Sequence, residues 1–448
     1  HMASESYRVA VDADLYDMQR NPTINKYVQQ IFDITGSKLV DFTASNNKIA
    51  CNFFHRLNTQ RVMYSLGNGV SFIDTSEAGH NDTTKERLGK HFDHDMQMLA
   101  YKALTHGVAF AFWNIDRMCV FPLTEFAPLW DEQTGTLRAG IRFWRLDPTR
   151  PMQVVLYEED GWSRFQTVKS SNGASAERLV MTSEKRPYIT HFAYTRADMD
   201  PQVIAAENYS ALPVVPMWGS KLHQSTLIGM REKIDSYDLI RSGFANDLQD
   251  CAQIYWMIAN AGGMNDQDMQ RFLDRLKINH VALVDSEDGG SAQGFTQEIP
   301  YEARKEYLNM IRAGIYEDFG ALDVHTVAAG ATNDHIDAAY QPMDEEAADF
   351  EYQVSEFIQQ LLALMGIDDQ PVFKRTRISN QLEQVQMIVA EADYLDRETI
   401  LRKLPNVSAD EVLGILDRLD AQEQDMTEIT PRAILTDDET NDKETENE

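Results

Sequence analysis

Histidine and carboxylate side chains crowd together in one short segment, His91, Asp93, His94 and Asp95. Imidazole and carboxylate groups are suitable ligands for divalent metal ions. The segment falls in a helix predicted for residues 84–105, where residues four apart share a face but residues two apart do not. Only His91 and Asp95 would therefore meet, and they would hold one weakly bound ion. A solvated helix surface is the simpler interpretation.

Motifs for catalysis or cofactor binding are absent from the chain. There is no GxxxxGK[ST] loop for a triphosphate and no HExxH metal motif. Paired cysteines with zinc spacing are also absent. The run GGSAQG at 289–294 lacks the GxSxG pattern of a nucleophile elbow and lies in a predicted turn. We therefore predict no catalytic residues, no cofactor and no resident metal. The enzyme alternative is a soluble metal-dependent hydrolase with an ion at His91 and Asp95.

Two further histidines, His325 and His335, flank a run of small and polar residues, ALDVHTVAAGATNDHI (321–336). This composition predicts a loop. Histidines in a loop can titrate near neutral pH, although simple exposure explains them equally well.

The chain is strongly acidic, with 41 Lys and Arg against 71 Asp and Glu and a formal net charge of −30. Binding to DNA depends on Lys and Arg neutralising phosphates, so this balance argues against a simple nucleic-acid-binding protein. An acidic surface also favours solubility. No apolar run reaches the roughly 18 residues that a membrane span needs, so we expect no membrane association. Three well-separated cysteines, Cys51, Cys119 and Cys251, fit a reducing compartment.

The N-terminal half predicts helices followed by short strands separated by turn signals. The 448 residues are enough for two to four structural units. The predicted helices and strands together indicate an α+β protein whose β region is compact and mostly antiparallel. The predicted strands are 108–114, 118–122, 137–145, 152–157, 163–169 and 188–193.

From Leu227 the apolar residues recur every three or four positions, which predicts one helix of roughly 30 residues ending at Gly262. A small insertion follows, and Pro300 then opens a second helix that ends at Gly320. After the 321–336 loop, further helices are predicted for 344–365, 380–392, 396–404 and 408–421. The acidic segment 425–448 is predicted to be disordered.

Five phrases carry a family resemblance. NNKIACNFFHRLNTQRVMYSLGNGVSF (46–72) is a helix leading through a glycine-containing turn to a strand. The second phrase pairs LAYKALTHGVAFAFWNID (99–116) with FAPLWDEQTGTLRAGIRFW (126–144), a helix–Gly–strand step followed by an Asp-containing turn. The other three phrases cover 211–217 with 225–250, then 299–320, and then 395–419. In this order, over about residues 30–422, they resemble the portal proteins of tailed bacteriophages, of the siphophage type. ATNDHIDAAYQ (331–341) departs from the Asn/Ser-Gly-rich phrase common there, which leaves the loop boundary open.

The resemblance implies a portal fold with a mixed α/β wing, long stem helices, a small α/β clip and a helical crown. Its implied divisions are an N-terminal wing (3–222), a first stem helix (223–261), a clip (262–298), a second stem helix (299–320), a tunnel loop (321–336), a wing helix and strand (337–377), a helical crown (378–424) and an acidic tail (425–448).

By the same resemblance the chain is not an enzyme but a ring subunit, usually one of twelve and possibly one of thirteen in isolation. The ring would surround a channel for double-stranded DNA at one capsid vertex of the virion, after assembly in the host cytoplasm. Its implied partners are the terminase large subunit, scaffold and major capsid proteins, and head-completion or adaptor proteins. Another ring-forming phage adaptor is a third alternative, which would lack two stem helices around an insertion.

The resemblance also implies two sets of site residues. The channel-facing tunnel loop would contribute Val324, His325, Thr326, Thr332, Asn333, Asp334 and His335. The partner-binding clip would contribute Asp268, Gln270, Arg271, Arg275, Lys277, Asp285, Glu287 and Asp288. The net negative charge would then help DNA to pass, because a basic channel would hold DNA electrostatically. We hypothesise a lining that repels DNA weakly while the loop makes transient contacts.

Overall fold

A computed structural model of the chain describes most of its residues. The described residues are 1–32, 36–41, 44–74, 82–169, 177–195, 198–250, 255–259, 267, 270–271, 291–295, 300–324, 333–377, 385–386, 388–390, 395–404, 412, 414–416 and 418–419. The chain divides into one unit of His1–Leu322 with Pro342–Thr376 and a second of Asp323–Gln341 with Arg377–Glu448. Among the described residues, no helix is long and apolar enough to cross a membrane.

The N-terminal segment contains two helices and a hairpin. Helix α1 (Glu5–Asp17) is capped by the Ser4 hydroxyl, which accepts from the Tyr7 backbone N–H. Helix α2 (Pro22–Lys26) has its proline at the first position, where a missing N–H costs nothing. Strands β1 (Gln30–Phe32) and β2 (Lys38–Val40) pair with each other in antiparallel fashion.

Three helices and a strand follow, with glycines at their boundaries. Helix α3 (Phe53–Leu66) ends at Gly67 and is followed by strand β3 (Val70–Asp74). Helices α4 (Asp82–Leu88) and α5 (Phe92–His106) replace the single helix predicted for 84–105. That prediction is wrong because Gly89 adopts a φ of +86°, which interrupts the helix between them.

An antiparallel β region confirms the predicted character of the next segment. Its five-stranded sheet has the order β10 (Glu177–Arg186), β9 (Gly161–Lys169), β8 (Gln153–Glu158), β7 (Leu137–Trp144), β6 (Phe126–Trp130). A three-stranded sheet has the order β13 (Val214–Trp218), β4 (Val108–Asn114), β5 (Arg117–Pro122). Strands β11 (Ile189–Thr195) and β12 (Asp198–Glu207) form a separate hairpin. The sequence did not predict β6, β10, β12 or β13.

Long helices dominate the rest of the described chain. They are α6 (Arg231–Asp250), α7 (Tyr301–Phe319) and α8 (Asn333–Leu364). Strand β14 (Tyr255–Ala259) pairs with β15 (Ser291–Phe295), and β16 (Asp369–Phe373) pairs with β3. The short helix α9 (Arg397–Lys403) is capped by Asp396, which confirms the helix predicted for 396–404. With so many helices and strands interspersed, the chain is an α+β protein.

The predicted helix of about 30 residues is wrong at both ends. Helix α6 begins at Arg231 rather than near Leu227, and Tyr255–Ala259 is a strand. The run YWMIA is apolar throughout, and periodicity alone cannot separate a buried strand from a helix in so short a run. Helix α8 begins eleven residues before the predicted start at Asp344 and contains Pro342, where a proline normally ends a helix.

Candidate functional site

Helices α6 and α7 lie side by side in opposite directions. An ion pair joins Lys233 near the start of α6 to Asp318 near the end of α7, and another joins Asp247 to Arg304 at the other end. Between them, the fully buried Ile234 and Ile315 belong to one apolar cluster that also contains α1 and α3 residues. The apolar periodicity that predicted long helices is therefore the seam along which these two helices pack.

A polar stripe runs along α6 on a different face from that seam. Its members recur every three or four residues and hold the N-terminal segment: Arg231, Asp235, Asp238, Ser242, Asn246 and Gln249. Arg231 forms an ion pair with Asp12. The Asp235 carboxylate accepts hydrogen bonds from the Tyr16 hydroxyl at 2.5 Å and the Thr23 hydroxyl at 2.7 Å.

Asp238 lies at the centre of the stripe and is fully buried. Its carboxylate accepts hydrogen bonds from the Cys51 backbone N–H at 2.8 Å and from the Asn21 side-chain amide. Burial raises the pKa of Asp238, and the two hydrogen bonds act against that rise. The pKa of the Cys51 thiol is raised by its own burial and by the nearby carboxylate. The two donors offset the desolvation of a carboxylate that would otherwise be costly to bury.

The rest of the stripe continues the same pattern towards the end of α6. The Ser242 hydroxyl accepts from the Ile49 backbone N–H at 3.0 Å. The Asn246 side-chain oxygen accepts from both the backbone and side-chain N–H groups of Asn47, at 2.6 and 2.9 Å. From Arg231 to Gln249 the stripe covers about 27 Å at 1.5 Å per residue. Residues on both sides of the β1–β2 hairpin, from Asp12 to Thr23 and from Asn47 to Cys51, are thus bonded to α6 at points along almost its whole length.

Sequence analysis missed this attachment. The only signal available was the four-three-four-four-three spacing of the six polar residues, which is also the spacing of an ordinary solvated helix face. Because the partners come from residues 12–51, about 200 positions away, the sequence pattern alone does not reveal them.

The end of α7 is fixed by a buried arginine. Gly320 ends the helix in the left-handed conformation, and a Cβ there would lie 2.8 Å from Glu346 Cγ. Arg61 of α3 donates a hydrogen bond to the Phe319 carbonyl oxygen and lies 3.2 Å from the Glu346 carboxylate. Its guanidinium also lies over the Phe319 ring, 4.3 Å from the ring centre. The backbone leaving α7 is therefore held at a defined position.

A second arginine stabilises the neighbouring part of α8. Arg375 donates two hydrogen bonds to the Glu351 carboxylate, at 2.9 and 2.8 Å, and one to Asp344 at 2.7 Å. Asp344 also accepts from the Tyr64 hydroxyl at 2.5 Å. The hydrogen bonds to Glu351, and then the one to Asp344, raise the pKa of Arg375, whereas its partial burial lowers that pKa. Helices α3 and α8 are thus joined next to the point where α7 ends.

The predicted tunnel-loop residues fall into three groups. Val324 follows α7 closely, and its side chain is 59% exposed. His325, Thr326 and Thr332 lie outside the described residues. Asn333, Asp334 and His335 belong to the first turn of α8, so their prediction as loop residues is wrong. Asn and Asp are common at helix N-termini, which explains why the small polar run opens a helix there.

Of the predicted clip residues, Gln270 and Arg271 are described, and both are helical and exposed. Asp268, Arg275, Lys277, Asp285, Glu287 and Asp288 lie outside the described residues. In the chain, these residues lie between strands β14 and β15, which pair with each other.

The described structure gives the metal hypothesis no support. His91 is the N-cap residue of α5, and its side chain makes no capping hydrogen bond. The Asp93 carboxylate accepts from the Val70 backbone N–H at 3.1 Å and pairs with Lys85 at 2.9 Å. Among the residues that the structure describes, no three His, Cys, Asp or Glu side chains are grouped to hold a metal ion.

Comparison with known proteins agrees with the sequence resemblance. The family model "Phage portal protein, SPP1 Gp6-like" matches residues 10–427. The chain is 23% identical over 431 residues to the portal protein of Clostridium phage phiCD119, covering 90% of this chain and 93% of that protein. It is 24% identical over 416 residues to the portal protein of Bacillus phage SPP1, covering 86% of this chain and 78% of that one. The chain therefore belongs to the SPP1 Gp6-like family of phage portal proteins.

Proposed function

We propose that this chain is the subunit of a ring that surrounds a channel for double-stranded DNA at one vertex of a phage capsid. The observation that carries the proposal is the antiparallel pair of α6 and α7, connected through a segment that contains the β14–β15 ribbon. Such a pair, packed against the α1 and α3 residues of an α/β body, suits a subunit that lines a channel. Family membership supports the same role.

In this proposal the elements up to β13 form the wing, and α6 and α7 are the two stem helices. The segment between them is the clip, and the segment between α7 and α8 is the tunnel loop. Helix α8 and strand β16 complete the wing, and residues 378–424 form the crown. A ring built this way uses heterologous contacts, in which each subunit presents two different surfaces to its neighbours.

The helix pair is poorly suited to holding DNA, which favours a conduit over a binding site. Three of its basic residues, Arg231, Lys233 and Arg304, already form ion pairs with carboxylates of the same chain. A cation paired in this way contributes less to phosphate binding, which depends on the release of DNA counterions. With a net charge of −30 per subunit, the ring would let DNA slide without capturing it.

The tunnel loop would contact the DNA, and its start is held in place. Arg61 fixes the Phe319 carbonyl oxygen, and the Gln60 side chain donates to the Leu322 carbonyl oxygen at 3.0 Å. Val324 is exposed just beyond this anchor. The chain would thus enter the loop from a defined position at the end of α7.

The clip would dock the terminase large subunit during packaging and head-completion or adaptor proteins afterwards. Scaffold and major capsid proteins would contact the ring during capsid assembly. Gln270 and Arg271, which are exposed residues of this segment, would take part in such contacts. The channel would serve both packaging and ejection, and the ring would reside in the virion.

Capsid precursors assembled with and without this chain test the proposal. They are incubated with the phage's terminase, ATP and DNA, and DNA protected from nuclease is measured. We expect protection only when the chain is present. Equal protection in its absence would overturn the proposed role.

A further inference from the structure

One face of the five-stranded sheet carries four arginines, which we call the arginine face: Arg142, Arg164, Arg178 and Arg186. The strand pairing places them together, because residues opposite each other on neighbouring strands project from the same side of a sheet. Val155 of β8 lies opposite both Arg142 of β7 and Arg164 of β9. On β10, Arg186 lies opposite Trp162 of β9. Arg178 lies opposite Val168, four residues after Arg164 and therefore on the same side of the sheet.

Most of this face is open to solvent. Within the described ranges, no ion pair is formed by its three exposed members, Arg164, Arg178 and Arg186. Arg142 is partly buried, with its guanidinium 4.2 Å from the centre of the Phe121 ring and 4.5 Å from that of the Trp144 ring. A distance of 3.7 Å separates it from the Glu125 carboxylate. Because a guanidinium has five N–H donors and no acceptor, the exposed groups require a partner that is rich in acceptors.

The strands that form this face are basic, although the chain is strongly acidic. Residues 137–186, from β7 to β10, contain nine Lys and Arg against six Asp and Glu, whereas the whole chain has a net charge of −30. Three of the six carboxylates pair with other cations: Glu177 with Arg145, and Glu158 and Asp160 with Lys185. Of the rest, Asp147 and Glu159 lie in turns, and Glu184 lies between the two register shifts of β10. Among the described strand residues that are paired in register on the arginine face, none is Asp or Glu. The face is therefore locally positive.

The spacing of the four arginines suits a long polyanion rather than a small anion. Arg186 and Arg178 lie opposite β9 residues that are six positions apart, which is about 20 Å along the strand. Arg142 and Arg164 lie two strands apart, which is about 10 Å across the sheet. Duplex DNA carries one negative charge per about 1.7 Å of its axis, so its phosphates are dense enough to meet all four guanidinium groups. Each guanidinium can donate two parallel hydrogen bonds to one phosphate.

Uncharged polar side chains accompany the arginines on the same side of the sheet. Gln166 of β9 lies opposite Gln153 of β8, and Ser183 lies on β10. Gln and Ser, like Arg, commonly donate to the phosphates of DNA. The outer strands expose Val168 and Val180, by 50% and 41%, rather than aromatic rings, so they lack the stacking surface that single strands use. The face therefore favours the backbone of a duplex, without recognition of its bases.

We propose that the arginine face is a second DNA site, separate from the channel, that holds the phosphate backbone of duplex DNA whatever its sequence. This inference rests on the proposed function, because that function brings duplex DNA to the protein. The face belongs to the sheet of the proposed wing and not to the α6–α7 pair, so it would not hold the DNA that slides past the stem helices. With four phosphate contacts per subunit, binding is strongly dependent on salt.

Covalently closed circular duplex DNA tests this site, because a closed circle cannot be threaded through a preformed ring. Retention of the labelled circle by the assembled protein is measured over a series of salt concentrations. We expect binding at low salt that falls steeply as the salt concentration rises. Arg164→Gln, Arg178→Gln and Arg186→Gln combined should weaken binding by about tenfold or more and reduce the slope of log affinity against log salt by about three.

The matched control removes the same charge from exposed positions outside the sheet: Arg20→Gln, Lys90→Gln and Arg402→Gln combined. This variant should bind the circle as the unmodified protein does, with the same salt slope. All six substitutions are on the surface, so both variants should fold. Arg142 is left unchanged, since its packing against two rings also contributes to the sheet.

Three outcomes would overturn the second DNA site. The unmodified protein fails to bind the circle at low salt, or the two triple variants lose binding equally. In the third outcome, a synthetic peptide of the acidic sequence DDETNDKETENE (437–448) binds to the same three arginines more tightly than the circle does, so the face serves an acidic protein segment. All three leave the proposed ring untouched. A protein that forms no ring, but holds the circle through these arginines, would instead overturn the proposed ring alone.

Discussion

Asp238 on α6 accepts a hydrogen bond from the backbone N–H of Cys51 at 2.8 Å, so a long helix also fixes the end of the N-terminal segment. The contact joins two parts of the chain that are almost 190 residues apart in sequence. Asn21 donates to the other carboxylate oxygen of Asp238. Both carboxylate oxygens of Asp238 thus hold the N-terminal segment on α6.

Removal of the Asp238 carboxylate should destabilise the subunit. In Asp238→Ala, two buried N–H donors lose their acceptor, and each costs about 1–3 kcal/mol. Asp238→Asn has a similar shape and keeps one acceptor oxygen, so one of the two donors stays paired and the loss should be smaller. Urea unfolding of both variants measures the difference. Equal stability of the Ala variant and the unmodified protein would show that the buried contact does not contribute.

The same residue predicts a pH dependence. Burial raises the pKa of Asp238 above its ordinary value of 3.8, so the folded chain holds this proton more tightly than the unfolded chain. Its contribution to stability is therefore complete below pH 3.8 and is lost as the pH rises through the raised pKa. As the pH rises through the raised pKa, the free energy of unfolding of the unmodified protein should fall relative to that of Asp238→Asn, which cannot ionise. An unmodified protein that instead gains stability relative to Asp238→Asn as the pH rises would contradict the assignment.

Arg61 should matter more for stability than its ion-pair partner. In Arg61→Ala, the Phe319 carbonyl oxygen loses a charged donor, for a cost of about 2 kcal/mol. Glu346 is half-exposed, so Glu346→Gln should cost less than about 1 kcal/mol. Chemical denaturation compares the two variants. The account would fail here if Glu346→Gln proved the more damaging change.

Added positive charge in the tunnel loop should slow packaging. In the proposed channel, Val324→Lys and Thr326→Lys would add cations to the loop, and charges act over roughly 8 Å at physiological salt. The rate of DNA packaging into capsid precursors should fall, and added salt should restore part of it. Leu129→Lys, at an exposed position of β6, is the control and should package normally. Unchanged packaging by the loop variants would count against a channel-facing loop.

Charge reversal in the clip should uncouple the ring from its motor. Arg271→Glu and Lys277→Glu should weaken stimulation of the packaging ATPase, since contacts across an interface depend on charge complementarity. Ring assembly should survive, as native mass would show. Arg20→Glu, at an exposed position after α1, is the control. Loss of the ring itself in the clip variants would refute the assignment of this segment.

Local patterns predicted much of this fold. Apolar spacing identified α6 and α7, and Pro300 and Gly320 marked the limits of α7 correctly. Strand β10 was missed because ERLVMTSEKR is charged and exposed along most of its length, without the alternation that a buried face produces. The start of α8 was missed because Pro342 normally interrupts helices.

The long-range part of the site could not be predicted. Arg61 and Glu346 are nearly 300 positions apart, and neither carries a local signal of its role at the end of α7. In the sequence, the polar stripe of α6 has the pattern of a solvated helix face. In the structure, groups such as the Tyr16 hydroxyl and the Ile49 backbone N–H bond to it. Resemblance of five ordered phrases, rather than any chemical motif, pointed to the portal family that the comparison confirms.

The most direct test of the central claim is the native mass of the purified protein, with negative-stain images of the same fraction. The ring account predicts particles of about twelve or thirteen subunits, each with a central hole. Particles that remain monomers or small compact oligomers, under conditions in which capsid precursors assemble, would contradict it.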